Sequence, residues 1–494
     1  MRENAENDNG PGGFRGIDIV PAGPAWRFSA MYQIQFDKPC HLHFIGIGGI
    51  SMSGLAAILL TRNFQISGSD AKQTELTRRL EQEGAVIHYP QAAENITDDI
   101  DAVIYTAAIH PSNPEYAAAV EKNIPMLTRA QLLGEMMRNY QTPICVSGTH
   151  GKTTTTSMAA HVMMQADLDP TISVGGILPL IHGNYRIGST DTFLMEACEY
   201  TNSFLSFFPK ISIILDIDAD HLDFFKDLED IRHSFRKFAE LLPEDGTLII
   251  NADDPAYKMI TKDLKCHVVT FSMSNRGQYT ADMITFDTLG HASFRALHNG
   301  KPVGTFHLQV PGEHNVSNAL AVIALAGVLG IDVSDIEAGF ESFHGTNRRF
   351  EKKGTCNGAV VIDDYAHHPT EIRATLNTAQ RVPHKTIWCV FQPHTYTRTK
   401  ALLPQFAEAL SLADHVVLAD IYAARELDIY GVSSADLQHE IQKLGTECEY
   451  FPSFSEIEDY LRAHVKEGDL VITMGAGNIV RVGEALVSGN TQHA

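Results

Sequence analysis

The sequence is short of positive charge, has no paired-cysteine motif and has no long apolar run. Its 38 Lys and Arg residues stand against 60 Asp and Glu, and the resulting formal net charge of −22 argues against general binding to nucleic acid or to a membrane surface. Its seven cysteines are scattered and form no Cys-x-x-Cys pair, as expected for a reduced, cytoplasmic protein. Apolar runs such as residues 56–60 are far too short to insert across a membrane. An anionic ligand must therefore be bound by local features of the chain.

The chain of 494 residues is long enough for about three domains. Short apolar runs alternate with helix-forming segments, which predicts three α/β domains in series at residues 31–140, 141–345 and 346–494, the first of them a doubly wound parallel sheet. Residues 278–311 contain shorter alternating runs and turn residues, and we expect an antiparallel addition there. Residues 1–30 lack the basic start and apolar core of a secretion signal, so we expect a flexible extension.

The strongest local signal is the segment SGTHGKTTTT at residues 147–156, between a predicted buried strand and a predicted helix. Gly148 and Gly151 allow the backbone to curl so that its N–H groups face an anion. Lys152 adds a positive charge, and Thr153 offers a hydroxyl to Mg²⁺. The segment predicts a phosphate-binding turn for a nucleoside triphosphate, in a variant with valine at the usual first glycine. The alternative is an ordinary glycine-rich turn between strand and helix.

Acidic and imidazole side chains follow the next predicted strands. Glu196 and Glu199 lie in MEACEY, and His221 lies among carboxylates in DIDADHLD. Because ligands of open α/β sheets bind at the carboxyl ends of the strands, we expect these loops to face the same crevice as Lys152. Glu196 and His221 could hold Mg²⁺ there, although histidine is a less usual magnesium ligand than oxygen groups. The alternative is the ordinary polarity of surface loops.

A second glycine-rich turn, GIGGISMSG, follows the first predicted strand at residues 46–54. Its first two glycine positions fit a dinucleotide-binding pattern, but Ser51 replaces the third glycine, while Asp70 ends the next strand about twenty residues on. Three interpretations stay open: a nicotinamide oxidoreductase, a phosphate-binding turn for another nucleotide, and glycines needed only for packing. The triphosphate turn in the next domain favours a nucleotide-linked substrate here and ATP there.

The third domain carries two polar segments after neighbouring strands, DDYAHHPTE at 363–371 and FQPHTYTRT at 391–399. Asp364 could contact a ribose or a metal-bound water, and Arg398 could bind a carboxylate through two hydrogen bonds. A neutral histidine could take a proton from an attacking amine. Ordinary loop polarity is the alternative for each residue.

Near the end of the second predicted domain, HNVSN at residues 314–318 begins a predicted helix. Asn315 and Asn318 lie on one face of that helix and could bind a base, although Asn315 could instead cap the helix. Arg348 and Arg349 lie in the expected hinge and could reach a phosphate, or could form a solvated basic linker.

Taken together and in order, these segments resemble the Mur ligase superfamily of peptidoglycan synthesis. The matching strings are GIGGISMSG, GTHGKTTTT, EACEY, DADHLD, HNVSNAL, NRRFE, DDYAHHPTE and FQPHTYTRT, which run from about His41 to Val482. The resemblance implies an N-terminal Rossmann-like domain, a central ATPase-like domain with the phosphate-binding turn, and a C-terminal Rossmann-like domain. In chain order these would bind the UDP-sugar, ATP, and the amino acid together with part of ATP.

The resemblance also implies the reaction. L-alanine would be joined to UDP-N-acetylmuramate at the expense of ATP and with Mg²⁺, through an acyl phosphate, to give UDP-N-acetylmuramoyl-L-alanine, ADP and phosphate. ATP is needed because a carboxylate is a poor electrophile. The enzyme would be cytoplasmic, either a monomer or a homodimer. A related ligase that recycles a murein tripeptide is the nearest competitor, and a non-catalytic ATP-binding regulator is a further alternative.

Matching positions imply four sets of site residues. The catalytic set comprises Lys152, Glu196, His221, His367, His394 and Arg398. The ATP-binding set comprises Gly148, Thr149, His150, Gly151, Lys152, Thr153, Thr154, Asn315, Asn318, Arg349 and Asp364. The substrate-binding set comprises Gly46, Gly48, Gly49, Asp70, Thr106, His182, Asn184, Tyr365 and Arg398. The metal ligands would be Thr153 and Glu196 for one Mg²⁺, and His221 for a second Mg²⁺ near the acyl phosphate.

Two positions depart from the family pattern. Several members carry a carbamylated lysine after the DHxD segment, but Lys237 here is out of register, so it is given no such role. Some alanine-adding members have arginine where Thr395 stands, which leaves Arg398 as the only arginine in FQPHTYTRT. The resemblance makes Arg398 a candidate for binding the alanine carboxylate.

Overall fold

The structure is a computed structural model that describes residues 32–106, 108–424 and 426–489. The expected extension at residues 1–30 lies outside the described residues. From Ile34 onward the chain forms one unit with three β-sheets. Among the helices that the structure describes, none combines the length and the apolar composition that a bilayer crossing requires.

The first sheet is entirely parallel and has helices between its strands. Its strands are β1 (His41–Ile45), β2 (Gln65–Ser69), β3 (Val86–His88), β4 (Ala102–Tyr105) and β5 (Met126–Thr128). Its helices are α1 (Ile50–Thr61), α2 (Glu75–Gln82), α3 (Pro114–Glu121) and α4 (Arg129–Met137). The strand order β3-β2-β1-β4-β5 changes direction beside β1. The turn after β1 therefore opens at the crevice where doubly wound sheets bind ligands.

The second sheet has ten strands. They are β6 (Thr142–Ser147), β7 (Thr171–Leu178), β8 (Gly183–Arg186), β9 (Thr192–Glu196), β10 (Ile211–Ile214), β11 (Thr247–Asn251), β12 (His267–Ser272), β13 (Tyr279–Phe286), β14 (His291–His298) and β15 (Lys301–Pro311). The associated helices are α5 (Lys152–Gln165), α6 (Leu228–Ala239), α7 (Tyr257–Thr261), α8 (His314–Leu329) and α9 (Val333–Ser342). The order is β15-β14-β13-β12-β11-β10-β6-β9-β7-β8, so β6 and the turn after it lie well inside the sheet.

The antiparallel addition expected at residues 278–311 is confirmed, because β13, β14 and β15 pair antiparallel. It is not a separate layer, since β13 pairs parallel with β12 and so extends the central sheet. Side chains of α5, α8 and α9 pack in one core with this sheet, where Met158, Leu320 and Phe340 are almost completely buried. This packing holds α5 and α8, which begin at the candidate site, in a common core.

The third sheet is parallel except at one edge. Its strands are β16 (Glu351–Cys356), β17 (Ala359–Asp364), β18 (Ile387–Phe391), β19 (His415–Leu418), β20 (Glu447–Tyr450) and β21 (Leu470–Met474). Its helices are α10 (Pro369–Ala379), α11 (Tyr396–Ala401), α12 (Leu403–Leu410), α13 (Ser434–Lys443), α14 (Phe454–His464) and α15 (Val480–Ser488). In the order β16-β17-β21-β18-β19-β20 only β16 runs antiparallel. The loops after β17 and β18 consequently lie at one edge of the sheet.

The expected α/β class with three sheets in series is confirmed, and each predicted apolar run forms a strand. No apolar run identified in the sequence corresponds to β3, β5, β7, β8, β12, β16 or β20. For β3, β5 and β20 the reason is that no apolar run stands out from the loops around them. The chain passes from one sheet to the next between Met137 and Thr142 and again between Ser342 and Glu351. The domain boundaries drawn within these segments remain predictions.

Candidate active site

The turn between β6 and α5 has the backbone geometry of an anion-binding site. Gly148 has φ +145° and Gly151 has φ +78°, and both values disfavour residues with a side chain. A Cβ on Gly151 would lie 2.7 Å from Asn318 Oδ1, and one on Gly148 would lie 2.9 Å from Leu215 Cβ. The first turn of α5 contains no acidic residue, so its free N–H groups and positive dipole end remain available to a phosphate.

Lys152 is held at this turn by a carboxylate for which the sequence predicts no role. Its Nζ lies 2.9 Å from the Thr149 carbonyl oxygen and 3.0 Å from Glu199 Oε2. Burial by itself lowers the pKa of Lys152, but Glu199 outweighs it and holds the pKa above its usual value. Lys152 is therefore charged at neutral pH. The available signal for Glu199 is its position three residues after Glu196, at the end of the same strand.

Glu196 and Thr153 are in direct contact, as expected for two ligands of one metal ion. The Thr153 hydroxyl donates to Glu196 Oε2 at 2.9 Å, and the Gly175 N–H donates to the same oxygen at 2.8 Å. A Cβ on Gly175 would lie 2.6 Å from both carboxylate oxygens, so glycine leaves the space that the carboxylate occupies. A hydroxyl and a carboxylate are ligands of the kind that Mg²⁺ prefers. The residues present thus fit a magnesium ion beside the phosphate-binding turn.

His221 is placed beside Glu199. Its Nε2 lies 3.8 Å from Glu199 Oε1 and 3.9 Å from Asp220 Oδ2, and its ring packs against Tyr200 at 4.6 Å. Among the described residues, the carboxylates paired with His221 are those of Glu199 and Asp220, so the geometry does not pair His221 with Glu196 as the residues alone suggested. The separate magnesium site that the resemblance implies for His221 stays a prediction.

His150, from the same turn, joins the central domain to the start of α10. Its ring lies 3.3 Å from Asp218 Oδ2 and 3.4 Å from Glu371 Oε1, and its backbone N–H donates to Asp216 Oδ1 at 2.8 Å. Burial lowers the pKa of His150, but these three carboxylates raise it well above its usual value. His150 is consequently an imidazolium at neutral pH. The sequence does not predict this role for the three acids; the acidic run in DIDADHLD is the signal available for two of them.

His368 makes the next contact across the same boundary. Its Nε2 donates to the Ala219 carbonyl oxygen at 3.2 Å, and its Nδ1 accepts from the Thr370 N–H at 3.3 Å. Thr370 also donates through its hydroxyl to Asp218 Oδ2 at 2.6 Å. His150, Asp218 and His368 have ligand atoms close enough for a metal ion. Because both nitrogens of His368 already have partners, we interpret the cluster as a contact between domains.

A cavity beside the phosphate-binding turn is lined by α8, by the segment between α9 and β16, and by α10. Asn318 Nδ2 donates to Asn315 Oδ1 at 3.0 Å, and Asn315 Nδ2 donates to the Pro311 carbonyl oxygen at 2.7 Å. Asn315 therefore does not cap α8. The N-cap residue is Glu313, whose side chain makes no capping hydrogen bond to the helix. Both asparagines line the cavity together with Gly151 and Thr154 of the phosphate-binding turn.

The third domain adds Arg349 and Asp364 to the same cavity. Asp364 accepts the Phe350 N–H at 2.8 Å and the Ala366 N–H at 2.7 Å, and burial raises its pKa to about 6. The Arg349 guanidinium lies 5.2 Å from the centre of the Tyr365 ring. Arg348 differs, because it is bound inside the third domain to Asp363 and to the carbonyl oxygens of residues 475 and 477.

Arg398, expected to bind the amino-acid carboxylate, is paired with a residue of the central domain. Its Nε and Nη2 donate to Asp220 Oδ1 at 2.9 and 2.8 Å, and its Nη1 lies 3.2 Å from His394 Nδ1. The two charged side chains are about nine-tenths buried. The expected residues His394 and Arg398 are thus together, but the sequence does not predict Asp220 as their partner.

His367 packs against His394 at a ring distance of 5.8 Å. Burial lowers the pKa of His367 to about 3, so this ring is neutral at neutral pH. Its Nδ1 lies 3.0 Å from the Tyr365 carbonyl oxygen, which makes Nδ1 the protonated nitrogen and leaves Nε2 as an acceptor.

The expected sugar-nucleotide residues lie on the first domain and on the β7–β8 connection. Asp70 Oδ2 accepts the Gly48 N–H at 2.8 Å, so the carboxylate stabilises the glycine-rich turn. Gly46 has φ +81°, Gly49 caps α1, and Thr106 Oγ1 accepts the N–H of residue 108. His182 and Asn184 flank the start of β8, whose Tyr185 meets α1 so closely that a Cβ on Gly54 would lie 2.7 Å from the ring. This packing brings the central domain against α1, the helix that follows the glycine-rich turn.

Three family models match consecutive parts of the chain. They are described as "Mur ligase family, catalytic domain" at residues 41–141, "Mur ligase middle domain" at 146–326, and "Mur ligase, glutamate ligase domain" at 348–477. The chain belongs to the Mur ligase family.

Curated relatives align with this Mur ligase over nearly its whole length. A UDP-N-acetylmuramate--L-alanine ligase of Lachnospira eligens is 58% identical over 92% of this chain and 100% of its own length, and that of Agathobacter rectalis is 56% identical with the same coverage. Among solved structures, the UDP-N-acetylmuramate-alanine ligase of Thermotoga maritima aligns with a TM-score of 0.76 at 32% identity, over 92% of this chain and 100% of that one. A murein peptide ligase of Psychrobacter arcticus aligns with a TM-score of 0.66 at 25% identity, over 91% and 98% of the two chains.

Proposed function

We propose that this Mur ligase joins L-alanine to UDP-N-acetylmuramate and converts ATP to ADP and phosphate. The observation that carries the proposal is the contact of Lys152 and Thr153, on the phosphate-binding turn, with Glu199 and Glu196 at the end of β9. The alanine-ligase relatives at 56–58% identity over most of the chain support the choice of substrates.

In the first step, an oxygen of the lactyl carboxylate attacks the γ-phosphorus of ATP, and the bond from that phosphorus to ADP breaks. Negative charge moves onto the leaving ADP. Lys152, kept protonated by Glu199, and the N–H groups at the start of α5 stabilise this charge in place. Thr153 and Glu196 would hold Mg²⁺, which supplies further positive charge at the transferring phosphoryl group.

In the second step, the amine of L-alanine attacks the acyl carbon and the carbon–oxygen bond to phosphate breaks. The amine must lose a proton as the new bond forms. His367 is uncharged with Nε2 as an acceptor, so it is suited to accept a hydrogen bond from the amine. Its pKa of about 3 makes it a poor final holder of the proton, which the departing phosphate takes up. Arg398 is anchored by Asp220 at the same end of the site, where one of its edges can bind the alanine carboxylate.

The domain roles follow the same order. We assign the UDP-sugar to residues 31–140 with the β7–β8 connection, ATP to residues 141–345, and the amino acid with part of ATP to residues 346–494. The adenine would lie by Asn315 and Asn318, with Arg349 and Asp364 opposite. All three domains of one chain supply these residues, so a monomer can act, and a homodimer is compatible. Seven free thiols and a nucleotide-linked substrate favour a cytoplasmic enzyme.

The test is phosphate release from MgATP with UDP-N-acetylmuramate and either L-alanine or the tripeptide L-Ala-γ-D-Glu-meso-diaminopimelate, with the product identified by mass spectrometry. We expect release with L-alanine only. Dependence on the tripeptide would instead identify a recycling ligase. Lys152→Ala should be inactive, whereas Lys210→Ala should be active, because Lys210 pairs with Asp245 just before β10, at the opposite end of the strands.

A further inference from the structure

Arg129 is a cation for which the described residues provide no anionic partner. It is the first residue of α4, at the boundary between the first and central domains, and its side chain is partly buried. Within the described part of the chain, none of the ion pairs includes Arg129, and the guanidinium has a single hydrogen bond, from Nη1 to Ser51 Oγ at 3.1 Å. A guanidinium has five N–H donors, so most of its binding capacity is unused.

The environment of Arg129 differs from that of another cation, Lys152. Glu199 raises the pKa of buried Lys152, whereas burial lowers the pKa of Arg129 and no carboxylate offsets the effect. A partly buried charge that no partner compensates is costly to the folded protein. A site that retains such a charge is suited to receive an anion from solution.

Packing holds Arg129 in place. On α4, a Cβ at Gly134 would lie 1.9 Å from the Ser206 carbonyl oxygen of the central domain, so the two backbones are in direct contact. On α1, Gly54 is similarly close to Tyr185. Ser51 belongs to the first turn of α1, which follows the glycine-rich turn. Cys198, in the loop that carries Glu199, is near enough to act electrostatically on the guanidinium.

We infer that Arg129 binds the diphosphate of the UDP-sugar. The inference rests on the proposed function and assigns a residue that contacts the substrate. The bond to Ser51 places the guanidinium beside the turn at residues 46–49, and the first turn of α1 contains no acidic residue that would repel a diphosphate. The planar guanidinium can donate two parallel hydrogen bonds to phosphate oxygens, which an ammonium group cannot reproduce.

Calorimetric titration of the full chain with uridine, UDP and UDP-N-acetylmuramate tests the inference. Arg129→Gln should weaken binding of UDP and of UDP-N-acetylmuramate by the same factor, roughly 10- to 100-fold, because one or two charged hydrogen bonds are lost. Uridine should bind Arg129→Gln as tightly as it binds the wild type. Arg129→Lys keeps the charge and should give a smaller loss. Arg138→Gln is the matched control, because Arg138 lies at the other end of α4, pairs with Glu135 and packs over Phe208.

Each result has a defined meaning. Unchanged UDP affinity in both Arg129 variants would overturn the inference, as would a loss confined to UDP-N-acetylmuramate, which would assign Arg129 to the lactyl carboxylate. An equal loss in Arg138→Gln would also overturn it, because the effect would then be a general change in α4. If Arg129→Gln does not fold, as judged by circular dichroism, the comparison of Arg129→Lys with the wild type decides. Absence of UDP binding by the wild type would instead contradict the proposed function.

Discussion

Gly151→Ala should separate the backbone strain of the phosphate-binding turn from its role in binding ATP. Gly151 has φ +78°, where an alanine costs about 1–2 kcal/mol of stability. The added Cβ would also lie 2.7 Å from Asn318 Oδ1, so this side chain of the proposed adenine site must move by about 0.7 Å to restore an ordinary contact. Displacements of this size in a positioned site lower rates by roughly 10- to 100-fold. We therefore expect kcat/KM for ATP to fall by that factor.

Gly330→Ala provides the matched control. Gly330 has φ +73° at the end of α8, and a Cβ there would meet nothing within 4 Å. Both variants should lose similar stability in urea unfolding followed by circular dichroism, but only Gly151→Ala should be impaired in coupled phosphate-release kinetics. Wild-type kcat/KM in Gly151→Ala, or an equal kinetic loss in Gly330→Ala, would refute the reasoning.

The other predictions use the same kinetic and unfolding measurements. Asp220→Asn removes the carboxylate that anchors Arg398, so KM for L-alanine should rise while KM for ATP stays near the wild-type value. The control Glu408→Gln, which breaks the exposed pair with Arg373, should change neither KM. A rise in KM for ATP alone in Asp220→Asn would place Arg398 elsewhere. Burial lowers the pKa of His161 to about 4, so the unfolded chain takes up a proton below its ordinary pKa of about 6.5 while the folded chain stays neutral. The contribution of neutral His161 to folding stability is therefore present above pH 6.5 and is lost on acidification. Between pH 7.5 and 5 the free energy of unfolding of the wild type should fall by about 2 kcal/mol more than that of His161→Gln. Equal falls in the two proteins would contradict this.

The glycine-rich turns show what the order of residues is able to specify. A buried strand, two glycines, a lysine and a helix are neighbours in the chain, so the β6–turn–α5 unit and its anion-binding backbone follow from local sequence alone. The same holds for the long strands, whose apolar runs differ clearly from the polar loops beside them. Short strands such as β3 and β20 lack this contrast, and their place in the sheet is set by the neighbours with which they pair.

The sequence also places polar residues after particular strands. This brings Glu196 and His221 to the carboxyl ends of strands in the second sheet, and Arg398 to that of a strand in the third sheet. It does not determine which side chains meet there. Lys152 pairs with Glu199, 47 residues away, and Arg398 pairs with Asp220, 178 residues away, on another domain. The first pair depends on β6 and β9 lying side by side in the second sheet, and the second pair depends on the packing of the central and third domains against one another.

By itself, then, the sequence determined the α/β class, the phosphate-binding turn and the family, because each of these depends on residues that are close together in the chain. Only the tertiary structure decided that Arg398 is anchored by Asp220, that His150 is held by Glu371, and that no carboxylate of the described residues pairs with Arg129. The physical reason is that the energy of a charge depends on its distance to other charges and on its burial. Both quantities are set only when the three domains have folded against one another.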